Sequence, residues 1–383
     1  MSLLVTVTGP DHPGVTAGLM DVLAEHGAVV EDVEQVVVHG RLLLGVVVGA
    51  DSAGLRVGLS AVAAELAVMV EFELLADEEP ALAVRHHVVV LAAALPPSAL
   101  AAVARRLALC GANIERVDRL SSWPAQSFEL IVSGGDTARL QSELAAEAVS
   151  QQVDIAVERA SIYRRAKRLV VMDVDSTLVQ GEVIEMLAAE AGCEAEVARV
   201  TAAAMAGELD FEESLRARVK LLEGLPVAAV DRVRSAVVLT PGARTLVRTL
   251  KRLGWTVGIV SGGFTAITDD LRSELGLDHA IANVLEVAEG RLTGRLVGPV
   301  VDRAAKAAAL RSFAEAEGLL VEQTVAIGDG ANDLDMLAAA GLGIAFNAKS
   351  VVRDAADTAL TVPFLDAVLF LLGVSREEIE QAV

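Results

Sequence analysis

Between residues 170 and 177 an apolar run, Val170-Val171-Met172, stops at Asp173, with a second carboxylate at Asp175 and hydroxyls at Ser176 and Thr177. A buried carboxylate is costly unless a cation or hydrogen bonds hold it, so a strand cannot carry these residues through a core. It can end in them, at the carboxyl edge of an open α/β sheet, where ligands bind. Two further apolar runs end in the same manner. Val257-Gly258-Ile259-Val260 leads into Ser261-Gly262-Gly263, and Val325-Ala326-Ile327 leads into Gly328-Asp329-Gly330-Ala331-Asn332-Asp333. Three such strands predict a doubly wound parallel sheet with a polar site along one edge.

Each motif alone has a plainer reading. Ser261-Gly262-Gly263 is a common turn, an isolated Lys306 suits a solvated helix, and Asp329 and Asp333 suit the start of the next helix. Order and context favour a site. Asp-x-Asp-Ser-Thr at 173–177, Ser261-Gly262-Gly263, Lys306, and Gly-Asp-Gly-Ala-Asn-Asp at 328–333 resemble, in that sequence, the four motifs of the haloacid dehalogenase superfamily phosphatases. The resemblance covers about residues 168–375 and is nearest to the phosphoserine phosphatases of that superfamily.

The chemistry fits the residue types. A phosphate monoester is doubly charged near neutral pH, so a carboxylate can approach its phosphorus only after that charge is offset. Mg²⁺ suits hard oxygen ligands. The resemblance implies Mg²⁺ held by Asp173, the backbone carbonyl of Asp175 and Asp329, with Asp333 orienting metal waters from behind. It implies that Asp173 is the nucleophile and forms an aspartyl-phosphate. Asp175 would protonate the leaving alkoxide and then deprotonate the hydrolytic water. Ser261, the amide of Gly262 and Lys306 would hold phosphoryl oxygens, with Asn332 steadying the cluster.

About residues 181–240, between the first two motifs, read as helices and resemble the family's helical cap. There Glu182 matches the carboxylate that meets a substrate ammonium, and Arg218 the guanidinium that grips a substrate carboxylate. Met205 and Phe211 match apolar residues that cover the substrate. The implied reaction is hydrolysis of O-phospho-L-serine to L-serine and phosphate, the last step of serine biosynthesis. The alternatives are a phosphatase or phosphotransferase for another small ester, or an amino-acid-sensing protein whose phosphatase fold is inert.

The first 160 residues contain a repeat: His26-Gly27-Ala28-Val29-Val30-Glu31 matches Cys110-Gly111-Ala112-Asn113-Ile114-Glu115, Gly27 falling on Gly111, a shift of 84 positions. Each copy reads as strand, helix, strand, strand, helix, strand, a ferredoxin-like βαββαβ unit. With Gly9-Pro10-Asp11-His12-Pro13-Gly14 after its first strand, the first copy resembles the ACT domain, a sensor of small molecules. Asp11 and Gly14 are its expected ligand residues and L-serine the expected ligand, with a homodimer of paired modules. The second copy has Leu95 and Ser98 at those places, so a ligand site is expected in the first module only. The adjacent His86 and His87 open a strand whose alternation points them to opposite faces, which argues against joint chelation.

The expected partition is 1–80 and 81–162 for the two ACT-like modules and 163–383 for the phosphatase part. Tyr163-Arg164-Arg165-Ala166-Lys167-Arg168 reads as a solvated linker between them. A formal charge of −21 argues against nucleic acid and anionic membranes as partners. The lone, distant Cys110 and Cys193 suit reduced thiols. A beginning without a basic stretch, and apolar runs shorter than the ~20 residues that span a bilayer, suit the cytoplasm.

Overall fold

The computed structural model describes residues 2–49, 51–76, 84–205 and 209–381. Its contacts divide the chain into two compact units, Met1–Leu82 and Ala83–Val383. In the first, β1 (Ser2–Pro10), α1 (Val15–Glu25), β2 (Val30–Val38), β3 (Arg41–Val48), α2 (Ala53–Glu65) and β4 (Met69–Leu75) follow one another. They build an antiparallel sheet in the order β2-β3-β1-β4. Strict alternation puts Leu3, Val5 and Val7 on one face, where they pack with Leu19, Leu23, Leu55 and Leu59 of the two helices. This is the expected ferredoxin-like unit.

The repeat returns the same order in the second unit: β5 (Arg85–Ala92), α3 (Pro97–Leu109), β6 (Ala112–Ser121), β7 (Gln126–Gly134), α4 (Thr137–Gln151) and β8 (Asp154–Arg159), with sheet order β6-β7-β5-β8. His86 Nε2 lies 2.9 Å from Thr137 Oγ1 and His87 Nδ1 lies 2.9 Å from Glu129 Oε1, so the rings do part to opposite sides. In β5 both faces are buried. Val88 and Val90 sit with the module's own helices, whereas Val89 and Leu91 join the core of the C-terminal part.

The C-terminal part runs through α5 (Ile162–Arg165), β9 (Leu169–Met172), the helices α6 (Val183–Ala191), α7 (Glu194–Met205), α8 (Phe211–Lys220) and α9 (Val227–Ala236) of the expected cap, and α10 (Ala243–Arg252). It continues with β10 (Thr256–Phe264), α11 (Thr265–Leu275), β11 (His279–Ala288), β12 (Arg291–Val297), α12 (Arg303–Ala316), β13 (Thr324–Gly328), α13 (Leu334–Ala339), β14 (Gly343–Phe346), α14 (Ser350–Arg353) and β15 (Thr358–Leu360). The seven-stranded sheet has the order β12-β11-β10-β9-β13-β14-β15. Its strands from β11 to β15 are parallel where they pair. β9 lies in the middle with all four residues buried, which is why its sequence is continuously apolar rather than alternating.

Two features depart from the sequence reading. The segment 163–168 is no solvated linker: the side chains of Arg164 and Lys167 are 10% and 2% exposed. Arg164 pairs with Glu129 at 2.6 Å, and Lys167 pairs with Glu158. These carboxylates stand on β7 and β8, so the basic cluster neutralises acids of the second βαββαβ module that face the C-terminal part. Asp154 of β8 completes the junction, accepting hydrogen bonds from Thr361 N at 2.8 Å and Thr361 Oγ1 at 2.9 Å.

The second departure is the antiparallel hairpin β11–β12, whose turn places Glu289 and Gly290 at φ 52° and 74°, values that suit a primed two-residue turn. Its tip reaches the cap. Gly224 N donates to Leu292 O at 2.8 Å, Leu292 N to Leu225 O at 2.9 Å and Val227 N to Gly290 O at 3.0 Å.

Candidate active site

The parallel register sets the site. Met172 lies level with Ile259 of β10 and Ile327 of β13, so the chain leaves all three strands at one edge and delivers Asp173, Ser261 and Asp329 there. Asp173 is buried. Its Oδ1 accepts from Val174 N at 2.7 Å and lies 2.7 Å from Lys306 Nζ. Lys306, carried by α12, is fully buried and also reaches Asp333 Oδ1 at 2.6 Å.

Asp333 is engaged at both oxygens, since Gly330 N donates to its Oδ2 at 3.0 Å. Its approach depends on Gly328, where a Cβ would lie 2.5 Å from the Asp333 carboxylate. Asp329 accepts from Thr177 Oγ1 at 3.0 Å. Thr177, the hydroxyl that follows the two carboxylates of the first motif, is a site residue that the motif's residue types signal but to which the sequence reading gives no role. Asn332 folds back over Gly330.

Oxygens of Asp173, Asp329 and Asp333 all lie within 4.8 Å of one another. With only one buried ammonium among them, the carboxyls repel. Burial, followed by repulsion from Asp333, holds the Asp173 carboxyl well above its ordinary range. The same two causes push Asp329 up to about 6. Burial works against the Lys306 charge, but Asp173 and Asp333 outweigh it and hold the ammonium above its ordinary range. An all-oxygen cluster with surplus negative charge fits a hard divalent cation.

Asp175 hangs beside this cluster. The turn that presents it puts Ser176 at φ 58°, a strained left-handed conformation for a residue with a side chain. Asp175 Oδ1 accepts from Val183 N, the first amide of α6, at 2.8 Å. Ser261 Oγ lies 3.3 Å from its Oδ2. Burial raises its carboxyl. Ser261 Oγ also accepts from Gly263 N at 2.7 Å. Gly263 admits no side chain, because a Cβ would come within 2.9 Å of both Asp175 Oδ2 and Ser261 Oγ.

The cap contributes Glu182, the residue before α6, and Arg218 on α8, both half-buried. Ser176 Oγ donates to Glu182 Oε1 at 3.0 Å. Burial and the neighbouring Asp175 push Glu182 up to about 7. Arg218 feels the charges of Glu182 and Asp175, and its Nε donates a long 3.4 Å hydrogen bond to Ser214 O. Phe211 lies over the Ser261 turn, its Cζ 3.2 Å from where a Gly262 Cβ would stand. The side chain of Met205 lies outside the described residues. By contrast Arg216 is the exposed partner of Glu212 at 2.7 Å.

Asp11 and Gly14 belong to the first unit. Gly14 precedes α1 at φ 99°, and Asp11 N donates to Gly40 O at 2.9 Å.

The haloacid dehalogenase-like hydrolase family matches residues 170–338, and ACT domain families match 1–73 and 84–158. A phosphoserine phosphatase of Streptomyces coelicolor is 57% identical over the whole of this chain and 94% of its own length. The crystal structure of a probable phosphoserine phosphatase from Vibrio cholerae superposes with a TM-score of 0.61 at 36% identity, covering 78% of this chain and 89% of that one. A phospho-aspartyl intermediate analogue of phosphoserine phosphatase superposes with a TM-score of 0.51 at 44% identity, covering 54% of this chain and 98% of that one. The chain belongs to the phosphoserine phosphatase family of haloacid dehalogenase-like hydrolases and carries two ACT domains ahead of its hydrolase domain.

Proposed function

We propose that the chain hydrolyses O-phospho-L-serine to L-serine and phosphate. The observation that carries the substrate is the pair Glu182 and Arg218: opposite charges, half-buried near Asp175, with no ion pair to Arg218 among the described residues. Holding opposite charges apart in a low-dielectric setting is unfavourable unless a zwitterion is to fill the gap. The substrate ammonium meets Glu182 and its carboxylate meets Arg218, leaving the phosphoryl group over Asp173.

Asp173 attacks phosphorus, the phosphorus–alkoxide bond breaks, and Asp175 gives its proton to the departing serine oxygen. Its burial-raised carboxyl suits that task. Asp175 then takes a proton from water, which attacks the aspartyl-phosphate and frees Asp173 and phosphate. Lys306, the Ser261 hydroxyl and the adjacent amides hold the phosphoryl oxygens, and Phe211 screens them from water. Asp173, Asp329 and the Asp175 carbonyl would hold Mg²⁺, steadied by Asp333 and Asn332. Bound there, it offsets the charge of phosphate and of the carboxylate cluster.

The enzyme is further proposed to work in the cytoplasm as a homodimer whose first module, through Asp11 and Gly14, takes L-serine. The two free cysteines support the first part, and the open left-handed turn at Gly14 before α1 supports the last. Phosphate release from O-phospho-L-serine, phosphoethanolamine and 3-phosphoglycerate, with Mg²⁺ and with a chelator, tests the reading. Phosphoserine should be strongly preferred and the chelator should abolish turnover. Equal rates on all three esters would unseat the substrate assignment.

A further inference from the structure

β11 is broken by one amide, Asn283, within the run Ala280-Ile281-Ala282-Asn283-Val284-Leu285. It is 2% exposed. A buried amide is tolerated only when its donor and acceptor are both used, and here both bind backbone. Asn283 Nδ2 donates to Gly262 O at 2.8 Å, and Asn283 Oδ1 accepts from Val301 N at 2.8 Å.

The first bond falls where the sheet fails. The β10–β11 register shifts between Val260 and Phe264, an irregularity that takes local carbonyls out of the ladder. Gly262 O belongs to the same rigid peptide plane as Gly263 N, and Gly263 N donates to Ser261 Oγ at 2.7 Å. With one acceptor position of the hydroxyl filled from this direction, its proton is free to point elsewhere, toward Asp175 Oδ2 at 3.3 Å or a phosphoryl oxygen. The second bond fastens Val301, one residue before Asp302, the N-cap of the helix that carries Lys306.

We infer that Asn283 is a positioning residue: by gripping the Gly262–Gly263 peptide and Val301 it aims the Ser261 hydroxyl and fixes its distance from Lys306, so that both phosphoryl-holding groups are set before substrate arrives. Asn283 itself touches no reacting atom. This rests on the phosphatase reading above.

The test is Asn283→Ala in the full chain with Mg²⁺ present, with Leu271→Ala on α11 as a core-destabilised control. Inorganic phosphate is titrated by calorimetry, and hydrolysis of phosphoserine and of phosphoethanolamine is assayed. Asn283→Ala should weaken phosphate binding about tenfold, the loss expected when hydrogen bonds to a charged group are disordered. It should lower kcat about 10- to 100-fold through misplacement. The preference for phosphoserine over phosphoethanolamine should persist, because the cap sets it. Leu271→Ala should lower Tm without moving phosphate affinity. If Asn283→Ala lacks a folded state at assay temperature, Asn283→Ser must show the same weakening. Phosphate affinity within about twofold of wild type, with kcat falling only in step with Tm as in the control, would overturn the inference. A wild type that binds phosphate yet hydrolyses neither ester would unseat the substrate assignment, and the phosphate titration would still decide the role of Asn283.

Discussion

Glu182 lies within electrostatic reach of Arg218 yet forms no ion pair with it. Arg218→Ala should therefore cost most where the substrate carboxylate is present. A lost charge-assisted contact is worth about 1.5–3 kcal/mol, or roughly 10- to 100-fold in kcat/KM for phosphoserine. Phosphoethanolamine, which has the ammonium but no carboxylate, should be turned over nearly as by wild type. An equal loss on both substrates would make Arg218 structural.

The other half of the pair predicts a pH dependence. Glu182 is pushed up to about 7 in the empty site, so it is neutral below that value and anionic above it. In the proposed binding pose the substrate ammonium needs the anion. Accordingly kcat/KM for phosphoserine should rise with pH through about 7, beyond the rise that the phosphate's own ionisation near pH 6 gives every ester. Glu182→Gln should erase the upper part of that limb. With 3-phosphoglycerate, which lacks the ammonium, the profiles of wild type and variant should coincide.

Asp173→Asn keeps the side-chain shape but removes the carboxylate proposed as nucleophile, and turnover should fall by several powers of ten. Quenched-flow trapping of acid-stable phosphoprotein should find none in the variant. Turnover near wild type would refute the assignment.

Asp175→Asn removes the proposed proton donor and should cost about 10²–10⁴-fold on phosphoserine. An aryl phosphate, whose leaving group needs little protonation, should suffer much less. A uniform loss across leaving groups would contradict the acid–base role.

L-Serine should inhibit through the first module. Gly14 stands at φ 99°, where valine is strained, so Gly14→Val should weaken inhibition, as should a chain starting at Val84. Coupling of this kind is typically about 1–3 kcal/mol, a 5- to 150-fold shift in affinity. Identical inhibition curves for all three proteins would place serine at the active site alone.

Much of the fold was legible because burial writes itself into sequence. β9 sits between parallel neighbours, so Val170-Val171-Met172 had to be apolar on both faces, and Asp173 marked its end. The repeat between Gly27 and Gly111 gave both ACT modules, since tight turns demand glycine at corresponding places: φ is 61° and 74°. Long-range pairing left weaker traces. Arg164 and Lys167 read as solvated because nothing nearby in sequence names Glu129 and Glu158 as partners. Glu289-Gly290 is a turn signal weaker than its neighbours, so the hairpin that holds the cap shows itself only in the structure. In the site, the residue types forecast which groups gather around Asp173, but not that both oxygens of Asp333 are taken up by Lys306 and Gly330.

β8 and β15 are the last strands of their respective sheets, and they lie against one another, with Thr358 Oγ1 donating to Ile155 O at 3.3 Å. Open strand edges invite pairing with foreign chains and hence aggregation. Here each sheet shields the other's rim. The second ACT module thus flanks the hydrolase sheet whether or not it senses a ligand, which gives a copy with Leu95 and Ser98 in its first loop a structural role of its own. A cut at residue 160 would bare the rim of β15 together with the face that Val89 and Leu91 cover, leaving the isolated hydrolase prone to self-association.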